Sequence, residues 1–259
     1  MRTITNEFMR ERIAAGIRNT KRGNMSYRKV IVNTGNLPNA EGSAEAIIGD
    51  TKVIAGIKVD ASTPMPDTPE EGNLTTSAEL LPMASESYDV GPPTPESVEF
   101  ARVVDRGIRH GNIIDMSRLF IEAEKVWGIY LDLYVINYDG NLFDAGTLAA
   151  MAALATTRMP RFEDGKVIRD ASMKRMQTGN IVTSCTFAKV LDKMLLDPDS
   201  AEESIAKARV TIANDGNELH AMQKGMGGSF SPAEINELIS ATFESSKELR
   251  GIIKKSIGD

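Results

Sequence analysis

Runs that form β-hairpins are followed by a helix twice along this 259-residue chain, and this order constrains the fold more than any other feature of the sequence. In the first half, two β-prone runs, 43–48 and 52–59, flank the tight turn Gly49-Asp50-Thr51. The Ala-rich run 143–156 then has the composition of a buried helix. In the second half, a capping box at Ser231-Pro232-Ala233-Glu234 opens the helix. Strand-like runs precede it at 180–190, 193–196 and 208–213. The order predicts an α+β fold of two similar layers that share an interface.

Residues 1–24 are predicted to form a helical extension ahead of two parts of one fold, 25–178 and 179–259. Apolar side chains fall near helical spacing at Phe8, Ile13, Ala14 and Ile17. Gly23-Asn24 is a helix-stop signal, so we expect the extension to be helical over its first twenty-odd residues.

A long loop is predicted for 61–95, because seven of the eleven prolines lie there. The segment 74–81 within it has a strand-like pattern. Thr94-Pro95-Glu96 is a helix-start signal, and the helix that follows carries apolar residues on one side.

Charge and composition exclude several classes of protein. The chain has 30 Lys and Arg against 36 Asp and Glu, a net charge of −6, which argues against a protein coated in nucleic acid but not against a local basic track. No apolar run reaches the roughly 20 residues of a membrane span, and the charged N-terminus predicts no secretory signal. A single cysteine excludes an internal disulfide, so we expect a cytoplasmic protein with no membrane contact.

The helix after Pro95 carries a row of arginines opposite its apolar side. Arg102, Arg106 and Arg109 follow the spacing i, i+4, i+7, which places them on one helical face. Arginine matches the geometry of phosphate, so the row is a candidate nucleic-acid contact. The alternative is a solvated face partly paired with Asp105, and the residues alone leave both open.

Other chemistry-bearing residues point to structural roles. His110 and His220 stand apart from any cysteine or histidine, and Cys185 lies in an apolar strand-like run. The glycine-rich segment 225–228 predicts a turn, and the sequence contains neither a Walker nor a Rossmann motif. We therefore predict no metal and no cofactor.

An acidic run near residue 200 leaves two interpretations. Asp197, Asp199, Glu202 and Glu203 could bind a hard cation or serve acid–base chemistry. A solvated acidic turn is the more common outcome for such a charge run, and we expect it here.

Several short segments, taken in order, resemble the RNase PH family. They include Gly49-Asp50-Thr51-Lys52-Val53, the strand and turn 126–140, the run Leu196-Asp197-Pro198-Asp199 and the terminal Phe230-Ser231-Pro232. The similarity extends over about residues 27–250. It implies an RNase PH-like fold, related to domain 2 of ribosomal protein S5. The N-terminal helix and the run 101–106 are most similar to the catalytically silent ring subunits of archaeal exosomes.

The resemblance also implies a degenerate catalytic site. The family degrades RNA from the 3′ end with inorganic phosphate, and active members have Gly-Thr-Arg after the Asp-Gly turn. Here Leu142 and Phe143 occupy the threonine and arginine positions. Glu203 and Arg209 occupy the positions of two aspartates six residues apart. Arginine cannot act as an acid near neutral pH, so we expect no catalytic residue in this chain.

Partners follow from the same resemblance. It implies a six-membered ring with three copies of a catalytic RNase PH-like subunit, cap proteins on one face, and single-stranded RNA as substrate. Arg102 and Arg106 would then lie near the path of the RNA 3′ end, with Arg109 a weaker member of the set. Two other functions stay open, an active exoribonuclease with a shifted phosphate site and a small-molecule phosphotransferase.

Overall fold

A buried helix lies between two β-sheets in the computed structural model, which describes residues 2–258. Among these residues, five α-helices surround or fill the space between the sheets. Their bounds are α1 (Arg2–Ala14), α2 (Pro95–His110), α3 (Leu142–Thr156), α4 (Ser200–Ile205) and α5 (Pro232–Ile257). A single 3-10 turn spans Met116–Leu119.

The first sheet has the strand order β1-β2-β3-β6-β4, and β5 pairs with β6 beside it. Its strands are β1 (Val30–Thr34), β2 (Gly42–Ile48), β3 (Thr51–Ser62), β4 (Asn73–Leu80), β5 (Phe120–Glu122) and β6 (Lys125–Asn137). The predicted hairpin is confirmed, since β2 and β3 pair antiparallel with Ile48 opposite Thr51. The strand inside the proline-rich segment is also confirmed, and β4 runs parallel to β6.

The second sheet has the order β12-β11-β13-β14, and all its pairs are antiparallel. Short strands of the connecting segment are β7 (Arg158–Met159), β8 (Arg161–Glu163), β9 (Lys166–Ile168) and β10 (Lys174–Arg175). The sheet itself comprises β11 (Thr183–Val190), β12 (Lys193–Leu196), β13 (Ala208–Asn214) and β14 (Leu219–Gly225). Helix α5 packs on β11 and β13 and completes the second layer.

Helix α3 packs against both layers because its side chains are small. Every residue from Leu142 to Ala155 is buried, and the helix contacts β2, β3 and β11 as well as α2 and α5. Gly42 on β2 permits the closest approach, since a Cβ there would lie 2.4 Å from the Ala153 carbonyl oxygen. The two sheet-and-helix layers that the element order predicts are thus joined by one shared helix.

The predicted length of the first helix is wrong, because α1 ends at Ala14. Gly16 adopts a positive φ of 75°, and the Ile17 and Gly16 N–H groups donate to the carbonyls of Arg12 and Ile13. This is the Schellman arrangement that commonly ends helices at glycine. Among the apolar residues at this spacing, Ile13 is buried and packs together with Met9, whereas Phe8 and Ile17 are exposed.

The other predicted helices are confirmed. Helix α2 begins after Thr94, whose side chain accepts from the Ser97 N–H, and helix α5 begins at the Ser231 capping box and continues to Ile257. No helix in residues 2–258 is long and apolar enough to cross a membrane.

Candidate functional site

The turn between β6 and α3 sets the position of the candidate site. Gly140 and Asn141 both adopt positive φ, 78° and 57°, and Asn141 is the N-cap of α3. A Cβ at Gly140 would lie 2.5 Å from the Pro198 carbonyl oxygen, so the turn packs directly against the segment before α4. The first helical residues are therefore Leu142 and Phe143, at a helix end whose N–H groups favour anions.

The four residues that the resemblance assigns to degenerate catalytic positions line one small cavity. Leu142 and Phe143 come from α3, Glu203 from α4 and Arg209 from β13. The cavity has a volume of about 20 Å³, enough for about one water molecule. Phe143 packs edge-on against Phe100 of α2, with ring centroids 6.1 Å apart. Apolar side chains thus fill the space beside the helix N-terminus, and a phosphate ion does not fit.

The Glu203 carboxylate is held inside this cavity by two donors. The Tyr138 hydroxyl donates to Oε2 at 2.6 Å, and the Asn141 N–H donates to Oε1 at 3.0 Å. Burial raises the pKa of Glu203 above its ordinary value. Burial and then the negative charge of Glu203 raise the pKa of Tyr138, so this hydroxyl stays a donor. Glu203 is therefore engaged in structural hydrogen bonds rather than open to a substrate.

Arg209 fills the opposite side of the cavity. Its Cζ lies 4.3 Å from the centroid of the Phe143 ring, and its Nη2 donates to Glu99 Oε1 at 3.1 Å. A guanidinium stacked on an aromatic face and paired with a carboxylate is held in place by both contacts. No sequence signal indicates the pairing of Tyr138 with Glu203 or of Glu99 with Arg209, because both contacts cross between distant parts of the chain.

Two of the three arginines in the row on α2 border a second, larger cavity of about 410 Å³. Arg102 is exposed and, within the described residues, makes no hydrogen bond or ion pair, whereas Arg106 Nη1 donates to Gln223 Oε1 at 3.0 Å. Arg109 does not border this cavity, since it donates to Asp105 at 2.7 Å and to the Leu74 carbonyl. Two arginines thus face the cavity, and the third is engaged as the solvated-face alternative describes.

The predicted solvated acidic turn is wrong, because Asp197, Asp199 and Glu202 are buried. Asp199 is the N-cap of α4 and forms a capping box with Glu202. An acidic N-cap followed three residues later by Glu is a helix-start signature, so the sequence did carry a signal for this short helix.

Arginines from the segment before β1 neutralise these carboxylates. Arg18 is 1% exposed and its Nε donates to Glu202 Oε1 at 2.7 Å. Arg28 donates to both carboxylate oxygens of Asp197, at 3.0 and 2.8 Å, and Arg22 contacts Asp197 at 2.6 Å. Three arginines of this segment therefore neutralise buried acidic groups.

The histidines and the cysteine lie apart from both cavities. Cys185 is fully buried, and burial raises the pKa of its thiol. His220 Nε2 lies 3.4 Å from Asp215, and His110 is exposed at the end of α2. Within residues 2–258, no three His, Cys, Asp or Glu side chains group in a way that could hold a metal ion.

Two sheet-and-helix layers joined by a shared helix, with a small cavity at the N-terminus of that helix, agree with the RNase PH-like fold that the resemblance implies. Profiles of the 3′ exoribonuclease family match this sequence, domain 1 over residues 26–160 and domain 2 over residues 180–245. The chain belongs to this family, the RNase PH family.

Curated relatives are similar over nearly the whole length. The exosome complex component Rrp42 of Thermococcus gammatolerans is 38% identical, and the match covers 97% of this chain and 96% of the relative. The protein of the same name from Methanothermobacter thermautotrophicus is 42% identical over 89% of this chain and 87% of the relative.

Solved structures share the fold. A chain of the Archaeoglobus fulgidus exosome with RNA bound to the active site is 36% identical, with a TM-score of 0.89 over 96% of this chain and 98% of that one. A chain of an archaeal exosome core is 34% identical, with a TM-score of 0.87 over 98% and 97%. Rice Rrp46, at 17% identity and a TM-score of 0.70, shares the fold alone.

Proposed function

We propose that this chain is a non-catalytic ring subunit of an archaeal exosome, where it supports a catalytic partner of the same family and contacts RNA. The observation that supports the proposal is the small size of the cavity beside α3: Leu142 and Phe143 line it and leave a volume of only about 20 Å³. Phosphorolysis requires donors that hold a phosphate beside the terminal phosphodiester of RNA. Here the cavity lacks the volume, the side chains of Leu142 and Phe143 supply no donor, and Arg209 stands where a carboxylate is needed.

The assembly is proposed from the relatives. Their names and titles describe exosome components, an exosome core and an exosome with bound RNA. We infer a ring of six subunits, three copies of this chain alternating with three copies of a catalytic RNase PH-like subunit, with cap proteins on one face. A single, buried cysteine suits such an assembly in the reducing cytoplasm.

The RNA contact is proposed for the arginine face of α2, which we define as Arg102, Arg106 and Arg109. Arg102 and Arg106 border a cavity of about 410 Å³ and supply guanidinium groups that match phosphate. Arg109 contributes less, because Asp105 already neutralises it. Contacts of this type hold the RNA backbone without reading its sequence.

A reconstitution assay tests the proposal. We expect no phosphate-dependent release of nucleoside diphosphates from RNA by this chain alone, and release by the ring formed with the catalytic partner. A ring whose partner subunit carries a disabled site must also be inactive. Release by that ring, or strong release by the isolated chain, would show that this chain is itself an exoribonuclease. Binding of a nucleotide without binding of RNA would favour a phosphotransferase.

A further inference from the structure

Four polar side chains connect the small cavity to the arginine face of α2. Arg209 Nη2 donates to Glu99 Oε1 at 3.1 Å, and Gln223 Nε2 donates to the same oxygen at 3.4 Å. The Gln223 Oε1 then accepts from Arg106 Nη1 at 3.0 Å. We call Arg209, Glu99, Gln223 and Arg106 the polar relay.

The chemistry of the relay fixes the direction of each bond. A carboxylate only accepts hydrogen bonds and a guanidinium only donates them, so a residue between Glu99 and Arg106 must donate on one side and accept on the other. The Gln223 amide does both. An alanine at position 223 would leave Arg106 without this partner, and a glutamate at position 223 would place a second negative charge beside Glu99.

Charge neutralisation is the second part of the relay. Glu99 lies three residues before Arg102 and seven before Arg106, on the same side of α2. An unpaired carboxylate there would oppose the approach of an anionic backbone. Arg209 pairs with it, and both side chains are partly buried, which strengthens their attraction relative to that in water.

We infer that Gln223 and Arg209 are positioning residues for RNA binding: Gln223 orients the Arg106 guanidinium toward the cavity that Arg102 also borders, and Arg209 neutralises Glu99. The inference rests on the proposed function of the arginine face. It gives Arg209, at a position where active members of the family have an aspartate, a role in RNA contact. The ligand is the phosphate backbone of single-stranded RNA.

The test uses the ring reconstituted with the catalytic partner and a fluorescently labelled oligoadenylate, with the Kd measured over a range of salt concentrations. For Gln223→Ala we expect a Kd about threefold to tenfold higher, the value of one lost hydrogen bond. The slope of log Kd against log salt should fall by about 0.7, because one phosphate contact is lost. Gln223→Glu should weaken binding further. Met222→Ala, at the preceding position of the same strand, is the matched control and should leave the Kd unchanged.

A double-mutant comparison separates positioning from general damage. Adding Gln223→Ala to Arg106→Ala should cause no further loss, because Gln223 acts only through Arg106. Arg209→Ala should weaken binding and Arg209→Lys should retain most of it, with ring mass and Tm as checks of assembly. An unchanged Kd for Gln223→Ala, or effects that add to those of Arg106→Ala, overturns the inference.

The proposed function has a separate test in the same assay. If Arg102→Glu with Arg106→Glu leaves the Kd unchanged, the RNA contact itself is wrong. If that double variant weakens binding while Gln223→Ala does not, the RNA contact stands and only the relay is rejected.

Discussion

The guanidinium of Arg209 lies over the ring of Phe143, with its Cζ 4.3 Å from the ring centroid. We interpret these two positions as those at which active members of the family carry an aspartate and an arginine, so that here the positive charge comes from the other side of the cavity. Together the two side chains occupy most of the space in the small cavity. Two residues that are 66 positions apart in the sequence therefore form one packed contact.

Removal of this contact should destabilise the chain. We expect Arg209→Ala to lower the free energy of unfolding by about 1–2 kcal/mol, since it loses a largely desolvated cation–π contact and the ion pair with Glu99. Arg209→Lys should lower the free energy of unfolding by a smaller amount. Urea titration followed by fluorescence measures the difference, and equal stability of Arg209→Ala and the unmodified chain would show that the contact contributes nothing.

The pH dependence of stability should change with Glu203→Gln. Burial raises the pKa of Glu203 above its ordinary value of 4.5, so the folded chain binds this proton more tightly than the unfolded chain does. The resulting stabilisation is fully present below pH 4.5 and is lost as the pH rises through the folded pKa. A glutamine can accept from the Asn141 N–H and donate to the Tyr138 hydroxyl oxygen, so it keeps both contacts without the buried charge.

We therefore expect the stability of Glu203→Gln, relative to the unmodified chain, to increase as the pH rises from 4 to 7. Chemical denaturation at a series of pH values gives the difference. A difference that stays constant over this range would mean that Glu203 titrates in the folded chain as it does in the unfolded one.

Local patterns were enough to predict the elements that carry the site. Three of these patterns involve only neighbouring residues, and each prediction was confirmed: the turn at Gly49-Asp50, the Ala-rich helix after Gly140 and the capping box at Ser231. The predicted end of α1 was wrong, although Gly16 is itself a helix-stop signal. An exposed, charged helix has a weak apolar pattern, and the later Gly23-Asn24 is an equally good stop signal.

Contacts across the chain could not be predicted in this way. Arg18 and Glu202 are 184 residues apart, and tertiary packing, including that of α1 against α4, brings their segments together. Gln223 carries no sequence signal at all, because an amide between a carboxylate and a guanidinium is recognisable only in three dimensions. The acidic run was interpreted as solvated for the same reason, since its neutralising arginines come from the other end of the chain.

The pair of Arg18 and Glu202 gives a further prediction, because both side chains are almost completely buried. Replacing Arg18 leaves the buried Glu202 with the more distant Arg22 alone, whose Nη2 lies 3.6 Å from Glu202 Oε2. Arg18→Met should therefore cost about 3 kcal/mol of unfolding free energy, the low end for breaking a buried pair. Arg18→Met combined with Glu202→Gln should be more stable than Arg18→Met alone. Thermal and urea unfolding measure both. If the double variant is the less stable of the two, the charge of Glu202 is not what Arg18 neutralises.

The arginine face gives the prediction that bears most directly on function. Arg102→Glu with Arg106→Glu replaces two positive charges by two negative ones at the border of the 410 Å³ cavity. We expect the reconstituted ring to bind single-stranded RNA more weakly, with a slope of log Kd against log salt lower by about 1.4 because two phosphate contacts are lost.

Lys247→Glu with Lys254→Glu, on exposed positions of α5, makes the same change in net charge at another surface and is the matched control. Ring mass should be unchanged in both. A loss of affinity equal in the two variants would mean that net charge alone governs binding, and an unchanged slope for the α2 variant would mean that this face does not contact the RNA backbone.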